Sequence, residues 1–280
     1  MLALVVVKVH PRNADAVVVV IKEGGVVSCS KRSLSFVIAV ALGLLMAGCS
    51  TKAGWEYQPS ATRVSATPMP VTVAVEHFQD QRGTENSRYF WVCGIPLVPY
   101  CTADYKRPEN ANGFLTEASY NFRPSDDLAQ ATSAELRQAG LFREVYVTDR
   151  ISDPNAQLVI RGSIISTDWD GKAYSYLVSG YAIVFYVLGL PMGSVQDTLS
   201  LKLELVDNSN GQVLWTHEIT QSYEKTEGLY YNYAEDFGYP QMFRDGITPA
   251  IASMQNFIAS QPPGSWDHMR TAPGATHRAE

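Results

Sequence analysis

The sequence predicts an α/β (α+β) fold: a mixed β-sheet flanked by helices, with a strand–helix–strand start and a C-terminal antiparallel hairpin. Three patterns carry this expectation. Residues 71–78 alternate with period two and are rich in β-branched side chains. Residues 125–140 repeat apolar side chains at helical spacing and end in a glycine. Leu199, Leu201, Leu203 and Leu205 alternate with polar residues, Asn208-Ser209-Asn210-Gly211 signals a turn, and residues 213–219 return as an antiparallel partner.

Taken in order, the first strand runs into the polar loop Gln79-Asp80-Gln81-Arg82-Gly83. The stretch 89–101 has neither helical nor strand period, and Pro96 and Pro99 forbid a central strand or a regular helix. Cys93 and Cys101 bracket seven residues of it. In an exported chain they are expected to close a small loop as a disulfide, the other reading being two buried thiols. The helix is expected to take Ser125 as its N-cap after Pro124, with Asp126 and Asp127 at the positive end of its dipole. Leu128, Thr132, Leu136 and Ala139 mark its inner side, and Gly140 stops it. Val145-Tyr146-Val147 starts a second strand and residues 156–167 form a third.

Residues 174–196 carry no formal charge, but Gly180, Gly189, Pro191 and Gly193 interrupt them. They are expected to form an apolar insertion that packs on the domain, on a partner or against a bilayer surface, and not a membrane span. Gly189-Leu190-Pro191 echoes Gly94-Ile95-Pro96, and the two segments are expected to meet. A last helix is expected to start at Thr248-Pro249 and to turn Ile247, Ile251, Met254 and Ile258 to one side. Residues 261–280 read as a disordered tail, so one α/β domain is expected over 71–260.

With 280 residues, 46% of them apolar and 18% charged, the chain holds one substantial core. A net charge of −6 offers no basic footprint, so no nucleic-acid partner is expected. The four cysteines form no C-x-x-C pair of the kind zinc or redox sites use. Lys31 and Arg32, the uncharged run 33–48 and the small residues Ala47 and Gly48 before Cys49 make up the three parts of a secretory signal. The apolar run is short of the roughly 20 residues a span needs. The signal is therefore placed at 26–48. Residues 1–25, two valine-rich runs parted by charged and turn-forming residues, are read as a gene-model extension upstream of a native start at Val26 or Val27. Residues 49–70, rich in Ser, Thr, Ala and Pro, read as a tether.

Chemistry is sparse. The histidines after Cys49, His77, His217, His268 and His277, are widely separated, and no nucleophile elbow or phosphate-binding glycine loop occurs. Asp168-Trp169-Asp170-Gly171 reads as a turn and Asp126-Asp127 as a helix start. Tyr223, Tyr230, Tyr231, Tyr233 and Tyr239 form either a binding face or a loop packed on its own rings. No catalytic residue, metal or cofactor is assigned, and the chain is not expected to be an enzyme.

Met46-Ala47-Gly48-Cys49 resembles the lipobox of bacterial lipoproteins. The resemblance implies lipid attachment at Cys49, and Ser50 after it implies the outer membrane, on its periplasmic face. A chain starting at Cys49 has 17 basic against 26 acidic residues, net −9, so acyl chains and not charge would hold it to the membrane. Phe78-Gln79-Asp80-Gln81-Arg82, Leu136-Arg137-Gln138-Ala139-Gly140-Leu141-Phe142, Ala156-Gln157-Leu158-Val159-Ile160-Arg161-Gly162-Ser163-Ile164, Leu203-Glu204-Leu205-Val206-Asp207 and Gly211-Gln212-Val213-Leu214-Trp215 occur in the order seen in envelope-assembly lipoproteins. Over residues 71–220 the chain resembles the α/β domain of curli-secretion and peptidoglycan-synthase-activating lipoproteins. That resemblance implies a binding or scaffold role in envelope or surface-polymer assembly, with envelope protein partners and self-association left open. One alternative is a lipid- or apolar-ligand-handling auxiliary lipoprotein of an ABC transporter, using 89–101 and 174–196 as a groove. A second is an unrecognised glycan-acting enzyme drawing on Asp168 and Asp170.

Overall fold

The computed structural model describes residues 6–9, 16–21, 25–30, 54–60, 68–110, 121–232 and 237–262. It divides into two units, residues 1–51 and 52–280. In the first, β1 (Val6–Val9), β2 (Ala16–Ile21) and β3 (Gly25–Ser30) form an antiparallel sheet in that order. The apolar run of the expected signal and Cys49 lie outside the described residues, as do Tyr233 and residues 263–280 of the expected tail.

The second unit begins, in strand terms, with β4 (Met69–Glu76), β5 (Gln79–Asp80) and β6 (Asn86–Arg88). A 3₁₀ turn at Phe90–Gly94 leads to β7 (Tyr100–Tyr105), and α1 (Pro124–Ala139) and β8 (Phe142–Thr148) follow. Then come β9 (Leu158–Tyr174), the short α2 (Ile183–Val187), β10 (Pro191–Asp207), β11 (Val213–Gly228) and α3 (Tyr239–Ser260). The main sheet runs β11-β10-β9-β4-β8. β4 lies parallel to β8 and to β9, whereas β9, β10 and β11 are antiparallel. This is the mixed sheet with a strand–helix–strand start that the sequence predicts.

β9 is the spine. One edge pairs with β10 along nearly its whole length; the other takes β4 at residues 158–160, β5 at 163–164 and β7 at 169–174. The predicted hairpin is present but far longer than its leucine run, with Leu201 opposite Ile219 and Leu205 opposite Trp215. Alternation sends Leu199, Leu201, Leu203 and Leu205 to one face, where all four are buried with Val73, Val75, Leu158 and Ile160. Leu128 and Leu136 of α1 and Phe243, Ile247 and Met254 of α3 close that face. The opposite face is polar, with Ser200 flanked by Ser166 and Thr220, and Thr198 by Asp168 and Ser222.

Several local expectations are corrected. α1 starts two residues early: Arg123, not Ser125, is the N-cap and Pro124 takes the first turn, where its missing N–H costs nothing. The Arg123 N–H instead donates to Asp127 Oδ2 at 2.7 Å. At the other end Gly140 adopts φ 68° and its N–H donates to the Leu136 and Arg137 carbonyls, the expected left-handed stop. α3 does not begin at Thr248-Pro249. It starts at Tyr239 after Gly238, with Pro240 in the first turn and an exposed Pro249 inside the helix. The buried residues Tyr239, Met242, Phe243 and Gly246 extend its inner side upstream, and that burial outweighs the one backbone bond a mid-helix proline removes. Gly246 allows close contact with the sheet: a Cβ there would lie 2.2 Å from Ile219 Cγ2.

The expected tether is partly docked. Trp55 stacks on Phe122 and Tyr57, Tyr57 meets Phe243 edge-on, and the Trp55 N–H donates to the Asn121 carbonyl at 3.1 Å. Two large aromatics within a polar segment supply enough apolar area to hold residues 54–60 against the helices. The Tyr57 hydroxyl donates to the buried Glu135, and burial together with that carboxylate holds its pKa far above the usual phenol range.

Candidate functional site

Four strand ends meet at one end of the sheet. Tyr100 of β7 faces Tyr174 of β9, Gly193 of β10 faces Ala173, and Pro191 faces Gly228 of β11. The chain segments that leave these ends are residues 89–99, 175–190 and 229–232. Residues 89–103, 173–196 and 228–232 contain no Asp, Glu, Lys or Arg. The fold thus gathers three uncharged runs, distant in sequence, at one place.

Specific bonds hold them together. Leu97 N–H donates to the Leu177 carbonyl at 3.0 Å, Ser175 N–H to the Pro99 carbonyl at 2.9 Å, and Ser175 Oγ to the Val98 carbonyl. Tyr176 Oη donates to the Pro191 carbonyl at 2.7 Å and Tyr230 Oη to the Val187 carbonyl at 2.9 Å, tying the excursion 175–190 to both neighbours. The runs 89–101 and 174–196, each carrying one of the Gly-x-Pro triplets, thus meet as expected, through Leu97, Val98 and Pro99 on one side and Ser175 and Leu177 on the other. Leu97, Tyr176, Leu177 and Ser179 all have φ between 53° and 67°. A left-handed backbone costs a non-glycine residue about 1–2 kcal/mol, so the surrounding bonds must enforce it.

Cys93 and Cys101 are joined as a disulfide, Cα atoms 5.3 Å apart. It closes the loop that carries Leu97 and the two prolines, and Trp91 lies two residues before it. With Ala173, Ala182, Ile183, Tyr186, Met192 and Leu229 the disulfide lines an open apolar recess of about 720 Å³. Around it apolar side chains face solvent: Leu97 is 79% exposed, Tyr181 79%, Leu188 70% and Trp91 69%. Tyr89, Ile183, Val184, Val187 and Tyr230 are exposed beside them. The apolar insertion expected at 174–196 is thus the end of β9, a 3₁₀ turn at Ser179–Ala182, α2 and the start of β10.

The expected turn at Asp168–Gly171 is instead strand. Trp169 points into the core, its ring over Gly171, where a Cβ would lie 2.3 Å from it. Asp168 and Asp170 point to the polar face. Lys106 Nζ lies 2.9 Å from Asp168 Oδ2, while Asp170 sits directly across from Asp104 of β7. Burial, then the Asp104 carboxyl, pushes Asp170 up to about 6. Asp104 bore no signal in the sequence, because only the β7–β9 register brings it beside Asp170. His77 contacts Asp126 at 2.7 Å and Asp149 at 2.6 Å, and His217 stacks on Trp215. The tyrosines separate: Tyr239 is buried in the core, Tyr223 packs against it, and Tyr230 and Tyr231 are at the apolar end. Among the described residues no group of three metal-ligating side chains converges, and no helix is long and apolar enough to cross a membrane.

No family model and no curated protein matches the chain. Solved structures do resemble it. A Xanthomonas campestris protein of the DUF330 family aligns with TM-score 0.41 and 11% identity over 74% of this chain and 97% of its own. The PelC dodecamer from Paraburkholderia phytofirmans gives 0.31 and 13%, over 71% and 94%. A lipoprotein from Neisseria meningitidis gives 0.30 and 15%, over 66% and 99%. At such scores nothing about activity or partners carries over.

Proposed function

We propose that this chain is a lipid-anchored envelope protein on the periplasmic face of the outer membrane. It works by contact and without turnover, as a binding or scaffold component in envelope or surface-polymer assembly. The observation that carries the membrane-bound part of this reading is the apolar end. A contiguous set of exposed Leu, Val, Ile, Trp and Tyr side chains, fixed by a disulfide and cross-segment bonds, has no use in water and marks a surface that something covers. The lipobox-like Met46-Ala47-Gly48-Cys49 and the resemblance of residues 71–220 to envelope-assembly lipoproteins, read from the sequence, support the envelope setting. The polar face of β9, β10 and β11 offers a second, hydrophilic surface to partners.

The test is crosslinking in the native envelope, with a photoreactive residue in place of Tyr181 at the apolar end or Ser222 on the polar face. Discrete protein adducts from either position support the scaffold reading. Their absence from both, with the protein abundant in the membrane, would remove it. The recess of about 720 Å³ favours a second reading, the handling of an apolar ligand. Native mass spectrometry finding a stoichiometric co-purified lipid would favour that one.

A further inference from the structure

The anchored reading leaves open what covers the apolar end, and the inference drawn here rests on that reading. We infer that this end is seated in the phospholipid leaflet that holds the acyl chains, a second and non-covalent foot beside the anchor at Cys49.

First, exposed aliphatic and aromatic side chains share this end without a charge among them. Leu97 and Leu188, on separate segments, are the most exposed aliphatics of the end, and Trp91, Tyr181, Tyr89 and Tyr100 stand around them. Charges resume only outside the uncharged runs 89–103 and 173–196, at Arg88, Asp104, Lys172 and Asp197. Exposed aliphatics beside amphipathic aromatics, with charge set back from them along the chain, is the composition of a membrane interface. A protein-binding surface of this kind carries about one hydrogen bond per 100–200 Å². Here the hydroxyls of Tyr176, Tyr186 and Tyr230 are already spent on backbone carbonyls within the end itself. Asp104 and Asp170 face each other two residues beyond the Thr102–Lys172 pair, so the collar is not net basic, and the attraction comes from apolar area and not from anionic headgroups.

The second argument is reach. Trp55 is held beside Phe122, Phe122 beside Tyr239, and the Tyr239 hydroxyl donates to the Thr167 and Asp168 carbonyls, midway along β9. The six residues from Cys49 to Trp55 extend at most about 21 Å. Seven strand residues separate Thr167 from Tyr174, about 23 Å, and nine separate it from Leu158, about 30 Å. Measured along β9, the leash falls about 2 Å short of the apolar end and about 9 Å short of the opposite one, so the apolar end is the nearer to the anchor.

The experiment uses the processed protein, purified with its own lipid and placed in vesicles of phosphatidylcholine brominated at mid-chain. The difference in fluorescence between the native protein and Trp91→Phe isolates Trp91. Bromolipid is expected to quench that component by roughly half, as for side chains 5–10 Å into the interface. Leu97→Asn with Leu188→Asn, both outside the core, should reduce the quenching several-fold. Trp91 open to aqueous iodide and untouched by bromolipid would overturn the inference. So would Trp91 shielded from both, which means cover by a second copy. The mass of the N-terminal peptide keeps the two readings apart. An unacylated Cys49 with Trp91 quenched sinks the anchor alone, and an acylated Cys49 with Trp91 in water sinks the second foot alone.

Discussion

Asp170 shows how a single position departs from what its neighbours in sequence suggest. Its folded pKa of about 6 lies above the ordinary carboxyl value of 3.8, through burial and then the Asp104 carboxyl. A raised pKa in an acid means that the folded state holds its proton longer than the unfolded one. The contribution is fully favourable below about pH 4, fades as pH rises through 6 and stays lost above. Asp170→Asn should therefore stabilise the protein at pH 7.5 by about 1 kcal/mol, a figure discounted for the group's partial exposure, and change little at pH 4. Urea unfolding at the two pH values reads this directly, and equal effects at both would contradict it. If the same variant kept its envelope role, the glycan-enzyme alternative would lose its best carboxylate. The Asp-x-Asp-Gly pattern suggests a turn because Asp and Gly favour one. The strand wins because Trp169 needs the core and because β7 supplies backbone partners, a long-range pairing that no local window contains.

At the level of elements, the sequence was most legible where periodicity and punctuation agreed. The alternating leucines of β10 and the Gly140 stop of α1 are both present as predicted. Where a strong signal lay inside an element, it misled. Thr248-Pro249 has the form of a helix start, yet α3 is already ten residues old at Pro249. What continues the helix upstream is its packed side, and Gly246 is the tightest part of it. Two effects compete in Gly246→Ala. Helix propensity favours alanine by about 1 kcal/mol, whereas a methyl group 2.2 Å from Ile219 Cγ2 forces strand and helix apart. Overpacking of this kind costs about 1–3 kcal/mol, so the net effect is expected to be destabilising. A thermal midpoint at or above that of the native protein would show that the β11–α3 contact yields easily. The uncharged run 174–196 was harder to read for a related reason. Its ends are strand and only its middle is an excursion, a division set by pairing with β7 and β11 and not by composition.

Across the whole unit, β9, β10 and β11 serve two purposes along their length. Toward residues 158–167 they carry the core under α1 and α3; toward Tyr174 and Pro191 they hold an end with no helix of the core over it. The sequence could show that the end was uncharged, but not that three runs converge, since convergence depends on the register of four strands. This division makes the two regions separable in stability. The core is fixed by leucines such as Leu199 and Leu201, fully buried, while the end depends on backbone bonds to the disulfide-closed loop. Closing a loop of this size contributes about 2–3 kcal/mol in the chain-entropy picture. Reduction should therefore loosen the end well before it reaches the core. With dithiothreitol, amide exchange should rise at residues 89–103 and 175–190 together, because Leu97 and Ser175 bond across the two segments. Residues 158–167 and 199–206 should keep their protection. A uniform rise over both regions would mean that end and core unfold as one, whereas a rise at 89–103 alone would mean that 175–190 holds its left-handed backbone without help from the loop.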